Sequence, residues 1–169
     1  LYADFLPDPT ADIGQDPHLV DWCGTNTQVM WQQNHCGIYR SVNGGQQWDK
    51  ISEKDGPANF GFAIAASETN PDVAWVVPGD SDQMRVAVDS ALCVCRTDDG
   101  GKTWTAFREG LPQENAFDIT YRHALDVSDR TVAFGTTTGN LYISENDGEN
   151  WATMSNNLPM VHSVMFCQH

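Results

Sequence analysis

Positive charge is scarce: nine Lys and Arg stand against 23 Asp and Glu in 169 residues, a formal net charge of -14. Nucleic-acid binders need a basic stripe to displace counterions, and anionic membrane surfaces attract polybasic segments, so neither partner is expected. Apolar runs near the roughly 18 residues of a membrane span are missing. So is any apolar pattern of helical period over three turns, which leaves an all-β chain. The cysteines (Cys23, Cys36, Cys93, Cys95, Cys167) are odd in number and unevenly spaced, which is not a disulfide framework. They read as small buried apolar residues, with a Cys23–Cys36 bridge as the alternative. A soluble chain is expected; its compartment stays open, the odd cysteine count fitting cytoplasm better than secretion. Leu1 is neither an initiator Met nor part of a signal-peptide pattern, so the true N-terminus is expected upstream.

What the chain does have is one short stretch in three copies. Ser41-Val42-Asn43-Gly44-Gly45-Gln46-Gln47-Trp48 is followed by Thr97-Asp98-Asp99-Gly100-Gly101-Lys102-Thr103-Trp104. The third copy is Ser144-Glu145-Asn146-Asp147-Gly148-Glu149-Asn150-Trp151. Repetition at about fifty residues sets an architecture before any single residue is weighed. Gly44-Gly45 and Gly100-Gly101 suit the positive φ of a tight hairpin, and Asn43, Asp99 and Asn146 can accept bonds from turn N–H groups, with Gly45, Gly101 and Gly148 at the glycine position of the three boxes. Calcium does not fit these turns, because each offers one or two oxygens where the ion takes six to eight.

Around each box the same four-strand unit is predicted. Residues 1–17, with three prolines, read as a connector, and units follow at about 18–55, 58–109 and 113–156. The third unit is expected to open with a strand over 117–121, and 161–167 reads as the first strand of a fourth. His18, Cys23, His35 and Cys36 are zinc-type ligands. Adjacent residues on an extended segment point to opposite faces, however, so no metal and no cofactor is expected.

The box pattern, Ser/Thr-x-Asp-x-Gly-x-x-Trp, resembles the Asp-box or BNR repeat of the sialidase-like β-propellers. Trp31-Gln32-Gln33-Asn34-His35-Cys36-Gly37-Ile38-Tyr39-Arg40-Ser41 and Gly110-Leu111-Pro112-Gln113-Glu114-Asn115-Ala116 are similar to bacterial BNR proteins labelled glycosyl hydrolase or exo-α-sialidase. The resemblance implies a partial propeller, the C-terminal half of a longer chain, with three blades and one further strand. Since propellers close with four to eight blades, the ring would be completed by a homo-oligomer or by the remainder of that longer chain.

The resemblance also places the boxes at the outer edge of one face and ligands on the other, at the channel mouth. The loops there hold Gln32, Gln33, Asn34, His35, Gln113, Asn115 and the nearby His18, all candidates for binding a carbohydrate or a protein. The irregular stretch from Pro78 to about Ser90 is the longest of these loops. A sialidase needs three arginines on the substrate carboxylate, a Tyr–Glu nucleophile pair and an Asp acid/base. Arg85, Arg122, Tyr121, Glu114, Asp80 and Asp82 are the candidates, and the arginine that opens the first sialidase blade has no counterpart. The expected function is therefore a binding or scaffold module, not catalytic by itself. The alternative is a glycoside hydrolase completed by missing blades or another subunit. A third class, an assembly factor like the propellers that chaperone photosystem assembly, rests on fold analogy.

Overall fold

The computed structural model describes residues 16–167, so the connector predicted over 1–17 lies outside the described residues except for Asp16 and Pro17. Among the described residues twelve strands follow in order: β1 (Pro17–Cys23), β2 (Asn26–Asn34), β3 (Gly37–Ser41), β4 (Asp49–Lys50), β5 (Gly61–Ala66), β6 (Ala74–Pro78), β7 (Val94–Thr97), β8 (Thr105–Phe107), β9 (Leu125–Ser128), β10 (Thr131–Gly135), β11 (Leu141–Ser144) and β12 (Ala152–Ser155). They form three four-stranded antiparallel sheets, ordered β1-β2-β3-β4, β5-β6-β7-β8 and β9-β10-β11-β12. Three consecutive meanders are what the threefold sequence repeat calls for.

The two inner strands of the middle sheet, β5 and β6, are buried on both faces, so they are continuously apolar rather than alternating. Strand pleating sorts those residues between two cores. Ile64, Ala66, Ala74, Val76, Cys93 and Cys95 pack with Val29, Trp31 and Ile38 of the first sheet. Ala63, Ala65, Trp75, Val77, Leu92 and Val94 pack with Leu125, Val127, Val132, Phe134, Tyr142 and Trp151 of the third. Cys93 and Cys95 thus share one face, as their spacing requires. Cys23 ends β1 and Cys36 lies in the β2–β3 turn, at opposite ends of β2, so the two form no disulfide with each other.

All three boxes close by one bonding scheme. The hydroxyls of Ser41, Thr97 and Ser144 accept from the N–H of Gly45, Gly101 and Gly148, each at 2.9 Å. The same hydroxyls donate to Asn43 (2.9 Å), Asp99 (2.9 Å) and Asn146 (2.8 Å). Those side chains in turn accept from the N–H of Gln47, Thr103 and Asn150. Each turn runs through two successive positive-φ residues: Gly44 and Gly45, Gly100 and Gly101, and Asp147 and Gly148. Asp147 tolerates that conformation without being glycine, which is why the third box keeps the shape with only one.

Two expected strands differ. Residues 117–121 form no strand, because they cross the β10–β11 turn instead: Ile119 accepts from the Thr137 N–H at 2.9 Å, and its own N–H donates to the Thr137 hydroxyl. The chain enters the third sheet only at Leu125. Over 161–167 there is a single parallel bridge, His123 to Ser163, rather than a strand. The segment's bonds are scattered, the Val161 N–H donating to Thr136, Val164 to His123 and Phe166 to Asp126, so no ladder forms.

Candidate ligand site around Phe62

Phe62, near the start of β5, is the hub of a cluster drawn from four chain segments. His18 of β1 stacks on its ring, 4.5 Å between centroids and 25° between planes. Phe60 and Tyr121 meet it edge-on, each at 5.4 Å. Two guanidinium groups lie over the same ring, Arg85 from the β6–β7 loop at 5.2 Å and Arg122 at 5.6 Å. The Arg85 side chain is half exposed, where a cation–π contact contributes about 0.5–1 kcal/mol and, more usefully here, fixes direction. Arg85, Tyr121, Arg122, His123 and His162 line a cavity of about 300 Å³.

The charge state of this cluster follows from its partners. The Asp82 carboxylate, 2.6 Å from the Arg85 guanidinium, and then the Tyr121 hydroxyl push Arg85 above its ordinary value. Burial lowers the His18 imidazole, against the opposing bond to the Gly61 carbonyl, so the ring is favoured neutral. The site therefore presents two guanidinium groups, that of Arg85 already paired with Asp82, beside a neutral aromatic floor.

The remaining sequence candidates are distributed unevenly around this site. Gln33 and Asn34 are buried, and their amides serve the interior: Gln33 donates to the Asn59 carbonyl at 2.9 Å, and Asn34 donates to Gln32 Oε1 at 2.9 Å. Asn34 Oδ1 accepts from the Cys36 N–H, closing the β2–β3 turn. Gln113 donates to the Leu92 carbonyl at 2.9 Å, and Asn115 is a turn residue with φ 54°. Neither Glu114 nor Asp80 lines the Arg85–Arg122 cavity; Asp80 lines a separate one of about 450 Å³ with Lys54, Asn59, Phe60, Cys93 and Arg108. Arg40 and Arg96, just before their boxes, tie neighbouring sheets by binding the Asp72 carboxylate and the Asp147 carbonyl. Phe62 and His123 carry no local motif that would single them out.

The site and the boxes lie at opposite ends of the sheets. β3 begins at Gly37 beside His35 and ends at Ser41 in the first box. Inner strands β1, β5 and β9 and the segment near Val164 line a common cavity of about 250 Å³. The fold is a β-propeller segment. Solved propellers match it at fold level: YCF48 bound to D1 peptide has TM-score 0.58 and 15% identity, covering 86% of this chain and 42% of that one. The GH74 xyloglucanase from Xanthomonas campestris has TM-score 0.62 and 18% identity, covering 82% and 20%. The GH74 enzyme of Niastella koreensis has TM-score 0.61 and 14% identity, covering 87% and 22%. This chain thus spans less than half the length of each of these three propellers. No protein-family model matches the chain, and no curated protein does.

Proposed function

We propose that this propeller segment is a binding module for a carboxylate-bearing ligand, a peptide terminus or acidic side chain, held at the rim opposite its boxes. The observation that carries this reading is the convergence of Arg85 and Arg122 on the Phe62 ring. Guanidinium forks bind carboxylates in bidentate fashion, and an aromatic floor excludes water from the pair. That the neighbour YCF48 is seen with D1 peptide supports a protein ligand.

The hydrolase reading draws on the GH74 neighbours, but the residues here serve it less well. A sialidase site takes three arginines, and among the described residues two stand over Phe62. Asp82 is engaged by Arg85, and Glu114 sits outside the cavity.

The box repeat and its bonding support assignment to the Asp-box, sialidase-like propellers. Exposed Trp22 at one end of the arc, and Met154, Leu158, Met160 and Met165 at the other, support a ring completed by further blades, from a second copy or a longer chain.

Calorimetric titration with a short peptide bearing a free C-terminal carboxylate, and with its amidated twin, tests the binding reading. The free acid is expected to bind and the amide to bind at least about tenfold more weakly. Equal binding, or none, removes the reading. Turnover of an aryl glycoside or fluorogenic sialoside would favour the hydrolase instead.

A further inference from the structure

We propose that Asp16, His18 and His35 bind a divalent first-row transition ion, zinc being the one their chemistry fits. A carboxylate oxygen of Asp16, a nitrogen of His18 and a nitrogen of His35 all lie within 4.8 Å of one another. Asp16 Oδ2 is 3.6 Å from His18 Nε2 and 4.0 Å from His35 Nδ1. These separations are too long for hydrogen bonds. They approach the roughly 3.3 Å between ligand atoms around a tetrahedral ion with bonds of about 2.0–2.1 Å.

The protonation pattern points the same way. His18 Nδ1 stands 2.6 Å from the Gly61 carbonyl oxygen, which accepts and cannot donate, so Nδ1 carries the proton. The other ring nitrogen, Nε2, faces the Asp16 carboxylate oxygen 3.6 Å away, so an ion placed between them would meet one nitrogen and one anionic oxygen. Metal-ligating histidines commonly give their second N–H to a carbonyl in this manner. His35 Nδ1 is buried and finds no hydrogen-bond partner among the described residues.

The backbone presets the group. Pro17 pairs with Asn34 in the β1–β2 ladder, and the His35 N–H donates to the Asp16 carbonyl at 3.1 Å. Phe60 packs edge-on against both imidazoles, at 5.8 Å and 5.7 Å, supplying an apolar wall. Two imidazoles and one carboxylate favour zinc-type ions over calcium or magnesium, which take oxygen ligands. The Asp16 and His35 side chains are 44% and 37% exposed, which leaves an approach from solvent and room for water to complete the coordination.

The test is titration of the chelator-treated chain with zinc chloride and with cobalt chloride. One ion per chain is expected, with cobalt d–d absorption and no thiolate-to-cobalt charge-transfer band. Asp16→Asn and His35→Ala alter exposed side chains and should retain the circular dichroism of the parent. Each should weaken zinc by more than about 100-fold, since even outer-shell partners are worth about 10–100-fold. His35→Gln, closer in volume, should lose the ion as well. Substoichiometric zinc, a thiolate band, or unchanged affinity in the His35 variants would overturn the assignment.

Discussion

Asp21 and Asp126 make the same pair of hydrogen bonds at two different joints. Asp21 accepts from the next residue on its own strand, Trp22, at 2.9 Å, and from Ala66 of β5 at 2.7 Å. Asp126 accepts from its own neighbour Val127 at 2.9 Å and from Phe166 at 2.6 Å. Each sits on the inner strand of its sheet, and each caps an N–H of the inner segment that follows. The segment 161–167, though short of a strand, is thereby held where a fourth inner strand would lie. The residue of the middle sheet paired as Asp21 is paired, to a Trp of the second strand, is Ala65, which packs in a core instead.

Asp21→Ala should therefore leave the Ala66 N–H without its acceptor, costing about 1–3 kcal/mol in urea denaturation. Asp21→Asn keeps a carbonyl oxygen in place and should cost less. Equal losses in the two variants would mean that packing, not the bond, is what matters.

Acid stability should depend on one box. The Thr103 backbone N–H, then its hydroxyl, hold the Asp99 carboxyl down to about 2 from 3.8. Its folded pKa is depressed, so its contribution is complete above about 3.8 and is lost as pH falls toward about 2. Asn43 and Asn146 occupy the same position in the other boxes and do not titrate. Thermal melts across that window should show an acid-induced fall that Asp99→Asn flattens.

Gly110 should not accept a side chain. Its φ is 84°, and an added Cβ would collide with the carbonyl oxygen of Trp151, whose N–H already donates to Glu109 at 2.9 Å. Gly110→Ala combines left-handed strain with overpacking at the joint between the second and third sheets, about 3 kcal/mol or more by chemical denaturation. A change under about 1 kcal/mol would show that the two sheets separate easily there.

Within the proposed ligand site, Arg122→Met keeps the stem over Phe62 and removes the charge. Binding of the free-acid peptide should fall by roughly tenfold or more, since hydrogen bonds to charged groups contribute about 1.5–3 kcal/mol. Fluorescence or calorimetric titration reads the loss, and added salt should reduce parent binding in the same direction.

Local chemistry made the architecture readable. Ser41, Thr97 and Ser144, with an acceptor two residues on and Gly45, Gly101 or Gly148 four residues on, determine a turn by short-range bonding alone, and its repetition determines three sheets. The alternation of Ile64 and Ala66 against Ala63 and Ala65 likewise follows from strand period. What the sequence did not determine is where the links run between sheets. Residues 117–121 have the apolar alternation of a strand, yet Ile119 binds the β10–β11 turn, a contact with no sequence signature because its partner Thr137 is distant in the chain. The amides of Gln33 and Asn34 look available in sequence and are committed to interior bonding in space. Only the tertiary structure could gather Arg85, Arg122 and His18 on one phenylalanine, and Asp16 beside two histidines, because each group is assembled from segments that share no local pattern.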